Sequence, residues 1–78
     1  MKKDVYLIEA VKQLLEDVFN PDWSVKLCGR LKCKQLIHAL CSLYSGVDFG
    51  DSATGMMNIE VIREYVDKEN INPFKEEM

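Results

Sequence analysis

Side chains that can bind a metal ion cluster in the middle of the chain. Cys28, Cys33, His38 and Cys41 are all zinc-competent. Their spacing of four, four and two intervening residues differs from the short paired spacings of zinc-binding motifs. On one helix, Cys33 and His38 would lie about 140° apart, too far around the axis for one ion. The spacing predicts small core cysteines, an outward-facing histidine, and no metal or other cofactor.

A cysteine nucleophile is the second chemistry to consider. Cys28 has the most electropositive setting, because Lys26 and Arg30 flank it closely. A catalytic thiol also needs a base within hydrogen-bond reach, and His38 is the single histidine in the chain. None of the cysteines is surrounded by the signature of a cysteine hydrolase. The sequence therefore predicts no catalytic residue and a protein that is not an enzyme.

Basic residues concentrate in the segment 26–34. It holds Lys26, Arg30, Lys32 and Lys34, and the helix that follows would also present Gln35 and His38 outward. A helix-turn-helix protein places such residues at the start of its recognition helix. The net charge of −3 opposes this reading, since phosphate binding needs cations in excess. DNA binding through segment 26–34 is therefore the alternative hypothesis.

Carboxylates concentrate on the outward faces of the first and last predicted helices. The residues that we expect to contact a partner are Glu9, Glu16, Glu60, Glu64 and Asp67. Such faces suit a basic surface on another protein. The leading hypothesis is a small protein-interaction module, a regulator or inhibitor that docks on a larger protein through charged helix faces.

Three apolar stripes predict the helices that carry these residues. The central stripe is Cys33, Leu36, Ile37, Leu40, Cys41 and Tyr44, with steps of three and one that only a helix places on one face. It predicts a helix over about 31–44, and similar stripes predict helices over about 4–19 and 57–68. The expected buried faces of these two are Leu7, Ile8, Val11, Leu14, Leu15 and Val18, and Ile59, Ile62, Tyr65 and Val66. Asn70 can end the last helix in the left-handed conformation.

The segments outside the three predicted helices carry weaker sequence patterns. Segment 22–31 alternates apolar and polar residues, which leaves a short extended piece, an irregular piece and a helical turn open. The stretch 46–55 is rich in Gly, Asp, Ser and Thr and is interpreted as a connection. A frayed tail is expected from about residue 73. The predicted fold is all-α: a single small domain over 1–78, built as a three-helix or four-helix bundle.

Size and composition set the remaining expectations. A domain of 78 residues has a small core, so a homodimer is an open alternative. Taken together, the apolar residues Trp23, Phe49, Met56, Met57 and Phe74 are expected to leave some apolar surface over for a partner. No apolar run approaches the roughly 18 residues that span a bilayer, so no membrane association is expected. An odd number of cysteines favours reduced thiols and a cytoplasmic location.

Overall fold

A computed structural model describes residues 5–19 and 29–74 of the chain. It contains helices α1 (Val5–Val18), α2 (Arg30–Leu43) and α3 (Ile59–Lys68), with strands β1 (Gly50–Asp51) and β2 (Met56–Met57) between α2 and α3. The three helices begin and end within two residues of their predicted bounds and account for 62% of the described part. The described part of the protein is a small, predominantly helical unit with a two-stranded sheet.

The β-hairpin corrects the prediction of an all-α bundle. Its strands pair antiparallel, with Gly50 opposite Met57 and Asp51 opposite Met56. The Asp51 carboxylate accepts hydrogen bonds from the backbone N–H of Ala53 and the hydroxyl of Thr54, at 2.9 and 3.1 Å. These bonds hold a tight turn. The interpretation of 46–55 as a plain connection is wrong, because the segment contains β1 and the hairpin turn. The sequence does not show this, because strands of two residues are too short for an alternating pattern.

Helix α2 is the axis of the core. Its buried residues are Cys33, Leu36, Ile37, Ala39, Leu40 and Leu43, and they pack with Val11, Leu15 and Val18 of α1. The central stripe is confirmed except at Cys41, which is exposed. Cys41 lies at the edge of the predicted stripe, and the buried arc extends the other way, to Ala39 and Leu43.

An aromatic cluster joins the hairpin to α2 and α3. Phe49 is fully buried, and its ring centroid lies 6.0 Å from that of Tyr44 and 5.4 Å from that of Tyr65. Phe49 therefore contributes none of the apolar surface expected for a partner, because its ring is packed against Tyr44 and Tyr65 in the core. Burial of Ile62 and Val66 confirms the inner face of α3.

The end of α3 follows the predicted cap. Asn70 has a φ of +61°, and the backbone N–H of Ile71 donates to the carbonyl of Val66 at 2.9 Å, as in a left-handed C-terminal cap. Phe74 is half-buried against the core. Residues 75–78 of the expected frayed tail lie outside the described residues.

The uncertain segment 22–31 is described only at its end. Arg30 and Leu31 belong to the first turn of α2, so the expected irregular piece does not reach them. The choice between helix and strand over 22–28 lies outside the described residues, as do Trp23, Lys26 and Cys28.

Candidate functional site: helix faces of opposite charge

The outward surface of α3 carries a compact set of carboxylates. Glu60, Glu64 and Asp67 are all exposed, and at about 100° per residue they fall within an arc of about 60° around the helix axis. We call these three residues the acidic stripe. Arg63 and Lys68 are also exposed and flank the stripe on its two sides. The sequence-predicted site residues of α3 are therefore neighbours.

Two contacts fix side chains in and beside the acidic stripe. The Asp67 carboxylate accepts a hydrogen bond of 2.7 Å from the side-chain amide of Asn72. The Lys68 ammonium lies 5.2 Å from the centroid of the Tyr65 ring, within the range of a cation–π interaction. Asp67 is thus hydrogen-bonded to the segment after α3, and Lys68 contacts the aromatic cluster through Tyr65.

Helix α1 repeats the same outward pattern more weakly. Glu9, Gln13 and Glu16 are exposed at the spacing of Glu60, Glu64 and Asp67. A glutamine occupies the middle position, so α1 has two carboxylates where α3 has three. Both predicted partner-binding residues of α1 thus share one face, with a lower charge density than the acidic stripe.

The exposed face of α2 has the opposite character. Leu31, Lys34, Gln35, His38 and Ser42 fall within an arc of about 100°, and all but the half-buried Lys34 are exposed. We call these five residues the α2 face. Three predicted nucleic-acid-binding residues thus lie together in this arc. Helix α2 carries no carboxylate, so its charged side chains are all cations.

Lys32 points away from the α2 face and binds α1. Its ammonium lies 2.7 Å from the carboxylate of Asp17. The hydrogen bond from Lys32 lowers the pKa of Asp17 below its usual value. This pair is exposed and contributes little to stability, but it removes Lys32 from the predicted basic cluster. Arg30 lies at the edge of the α2 face, and Lys26 lies outside the described residues.

An open acidic cleft lies beside the β-hairpin and was not foreseen from the sequence. Its volume is about 480 Å³. It is lined by Asp48, Gly50, Asp51, Met56, Met57, Asn58, Ile59 and Glu60. The carboxylate of Asp48 accepts a hydrogen bond of 3.0 Å from the backbone N–H of Gly50. Asp48 and Asp51 therefore line the cleft and also hold the hairpin backbone in place. The only sequence signal was the turn-forming composition of 46–55.

Among the residues that the structure describes, Cys33, His38 and Cys41 are not gathered into one site, and Cys28 lies outside them. Cys33 is buried, whereas Cys41 and His38 are exposed on α2. Within residues 5–19 and 29–74, no group of three or more His, Cys, Asp or Glu side chains could hold a metal ion. Cys41 is a free thiol.

The described helices define the protein as a small, mainly α-helical unit with a short hairpin. None of these helices is long and apolar enough to cross a bilayer. The chain matches no protein-family model, no characterised protein and no solved structure. Its function must therefore be argued from its own surfaces.

Proposed function

We propose that the protein is a non-enzymatic interaction module that docks on a basic surface of a larger protein and regulates or inhibits it. The observation that carries this proposal is the acidic stripe, because Glu60, Glu64 and Asp67 present three exposed carboxylates within one narrow arc. A concentrated negative surface steers a basic partner and fixes its orientation.

The burial of the inner face of α3 supports the same proposal. Ile62 and Val66 are fully buried opposite the stripe, and Tyr65 packs 5.2 Å from Tyr44, centroid to centroid. A helix held in this way loses little further freedom when a partner binds, which favours affinity. Glu9 and Glu16 on α1 supply a weaker surface of the same kind.

A cytoplasmic location fits this proposal. The chain has three cysteines, an odd number that cannot all pair within one chain, and Cys41 is a free thiol. Reduced thiols are the rule in the cytosol. Location of a tagged chain in fractionated source cells tests this inference, and recovery outside the cytosolic fraction contradicts it.

Affinity capture from the source cell with two matched variants tests the main proposal. Glu64→Lys reverses one charge inside the acidic stripe, and Glu69→Lys reverses one charge just beyond the helix, on the other side of its axis. We expect a basic protein that the parent and Glu69→Lys both retain, and that Glu64→Lys retains at least about tenfold less, because like charges then meet.

Quantitative mass spectrometry of the captured proteins gives the answer. Equal recovery by the two variants would show that the acidic stripe is not the docking surface. Reproducible capture of no specific protein by the parent chain would remove the proposed function altogether.

DNA binding is the second candidate function, because Lys34, Gln35 and His38 share the exposed α2 face. Two observations weaken it. The net charge of the chain is −3, whereas phosphate binding needs cations in excess. Lys32 is also engaged by Asp17.

Fluorescence anisotropy with duplex DNA decides this alternative. DNA binding through the α2 face predicts an affinity that falls steeply with salt and is lost in Lys34→Glu, since each phosphate contact releases a counterion. Anisotropy that stays at background at low salt rejects it.

A further inference from the structure

Helix α2 places two metal-binding side chains next to each other on its exposed surface. His38 and Cys41 are both exposed and lie three residues apart on this helix. At that spacing the Cβ atoms are about 5–6 Å apart, and helical pairs of this kind supply two ligands to one ion in known metal sites. An imidazole nitrogen and a thiolate sulfur are both ligands that Zn²⁺ prefers. The two residues therefore form one half of a tetrahedral zinc site.

Both side chains are available as ligands. Neither takes part in a hydrogen bond or an ion pair within the residues that the structure describes. Cys33 is buried on the core side of α2 and does not share the exposed surface of His38. Since no third ligand joins the pair within residues 5–19 and 29–74, two ligands remain to be supplied. A second copy of the chain carries the same exposed pair.

We propose that His38 and Cys41 bind Zn²⁺ together with the same two residues of a second copy of the chain. A two-fold axis through the ion makes the two copies equivalent and provides the two nitrogen and two sulfur ligands of a closed structural zinc site. Each thiol releases its proton to the solvent on binding, so the two thiolates balance the charge of the ion.

The charge of α2 makes this association depend on the metal ion. Arg30 and Lys34 lie on the same side of the helix as Cys41, within an arc of about 40°, and the helix carries no carboxylate. Two such surfaces repel each other when no ion joins them. The acidic stripe lies on α3, so this inference does not depend on the proposed partner.

Sedimentation velocity of the full chain under reducing conditions tests the proposal. We expect a monomer in the presence of EDTA, and a mass that approaches twice the chain mass when one Zn²⁺ is added per two chains. Titration with Co²⁺ as a coloured substitute should give the absorption of a tetrahedral, thiolate-bound ion. That absorption should saturate at one ion per two chains.

Three variants identify the ligands. His38→Ala and Cys41→Ser each remove one ligand from each copy, so both should abolish the zinc-dependent dimer. Both should also weaken Co²⁺ binding by at least about tenfold, since removing even a group that only orients a ligand has an effect of that size. Gln35→Ala is the matched control, because Gln35 is exposed on the same helix without belonging to the pair. It should bind metal and dimerise like the parent.

Three results would overturn this proposal. One is a parent chain whose mass does not respond to Zn²⁺. Another is a zinc-dependent dimer that persists in His38→Ala and Cys41→Ser, which would place the ion elsewhere. The third is a monomer that binds one ion per chain, because the second copy would then supply no ligand. Partner capture by the acidic stripe is read out separately through Glu64, so either proposal can fail alone.

Discussion

Helices α2 and α3 meet the core and the solvent in opposite ways. Helix α2 buries six of its residues, among them Leu36 and Leu40, and its charged side chains are all basic. Helix α3 buries only Ile62 and Val66 and exposes the acidic stripe. The two helices have similar apolar periodicity in sequence, yet one is mainly a structural axis and the other is mainly surface.

This difference separates the residues that stabilise the fold from those that we propose bind a partner. A substitution on the inner face of α2 removes packing against α1 and the hairpin, whereas a charge reversal at the exposed Glu60 or Glu64 of α3 changes charge without removing core packing. The net charge of −3 does not reveal that α2 is basic and α3 acidic, because the cations of α2 partly cancel the carboxylates elsewhere.

Phe49→Ala should be the most damaging substitution, because Phe49 joins the two helices through Tyr44 and Tyr65. Truncating a fully buried phenylalanine costs about 3–5 kcal/mol of unfolding free energy, most of what a small domain has. Urea unfolding followed by circular dichroism measures the loss. A variant that unfolds like the parent would show that the aromatic cluster does not hold α3 to the core.

Leu40→Ala should destabilise the protein by about 2–5 kcal/mol, since Leu40 is fully buried on the α2 axis. Cys41→Ala is the matched control on the next residue, which is exposed, and it should stay within about 0.5 kcal/mol. Both are measured by urea unfolding. Equal losses at the two positions would mean that the buried face of α2 is assigned incorrectly.

Gly50→Ala should disturb the hairpin more than Gly46→Ala does. Gly50 has a φ of +133°, and a Cβ there would lie 2.3 Å from the carbonyl oxygen of Met56. Gly46 has a φ of +84° with open space around it, so its substitution adds backbone strain of about 1–2 kcal/mol alone. We expect a larger loss at Gly50, measured by the thermal midpoint, and equal losses would argue against the close approach of β2.

Tyr44 should give a small loss of stability in alkali. Burial raises the pKa of Tyr44 above 10.0, with smaller contributions from Glu69 and Tyr65. The unfolded chain then loses its proton first, so this contribution is complete below about pH 10 and is lost as the pH rises through the folded-state pKa. Urea unfolding of the parent and of Tyr44→Phe as the pH rises should show a steeper decline in the parent. Parallel declines would contradict the burial of this phenol.

The helices were predictable because their signal is local and repeated. The steps of three and four in α2 and α3 place Leu36, Leu40, Ile62 and Val66 inward whatever the rest of the chain does. The acidic stripe follows from the same periodicity, since residues opposite a buried face must be exposed. Asn70 was predictable as a cap because few residues other than glycine adopt a positive φ as readily.

The hairpin and its packing beside α2 were not predictable from local periodicity. Strands of two residues carry no period, and Phe49 is buried only because the hairpin folds back on α2 and α3. Cys41 illustrates the same limit, because residues at the edge of a stripe are assigned by their tertiary neighbours. The pairing of Lys32 with Asp17 depends on how α1 and α2 pack, which single-helix patterns do not specify.

Amide chemical-shift mapping by NMR tests directly whether α3 is the proposed binding surface and α2 the structural axis. A short lysine-rich peptide, added at physiological salt, serves as the basic probe. We expect saturable shifts centred on Glu60, Glu64 and Asp67, with the resonances of the α2 face unmoved and the shifts abolished in Glu64→Lys. Shifts centred on α2, or none at saturating peptide, would contradict it.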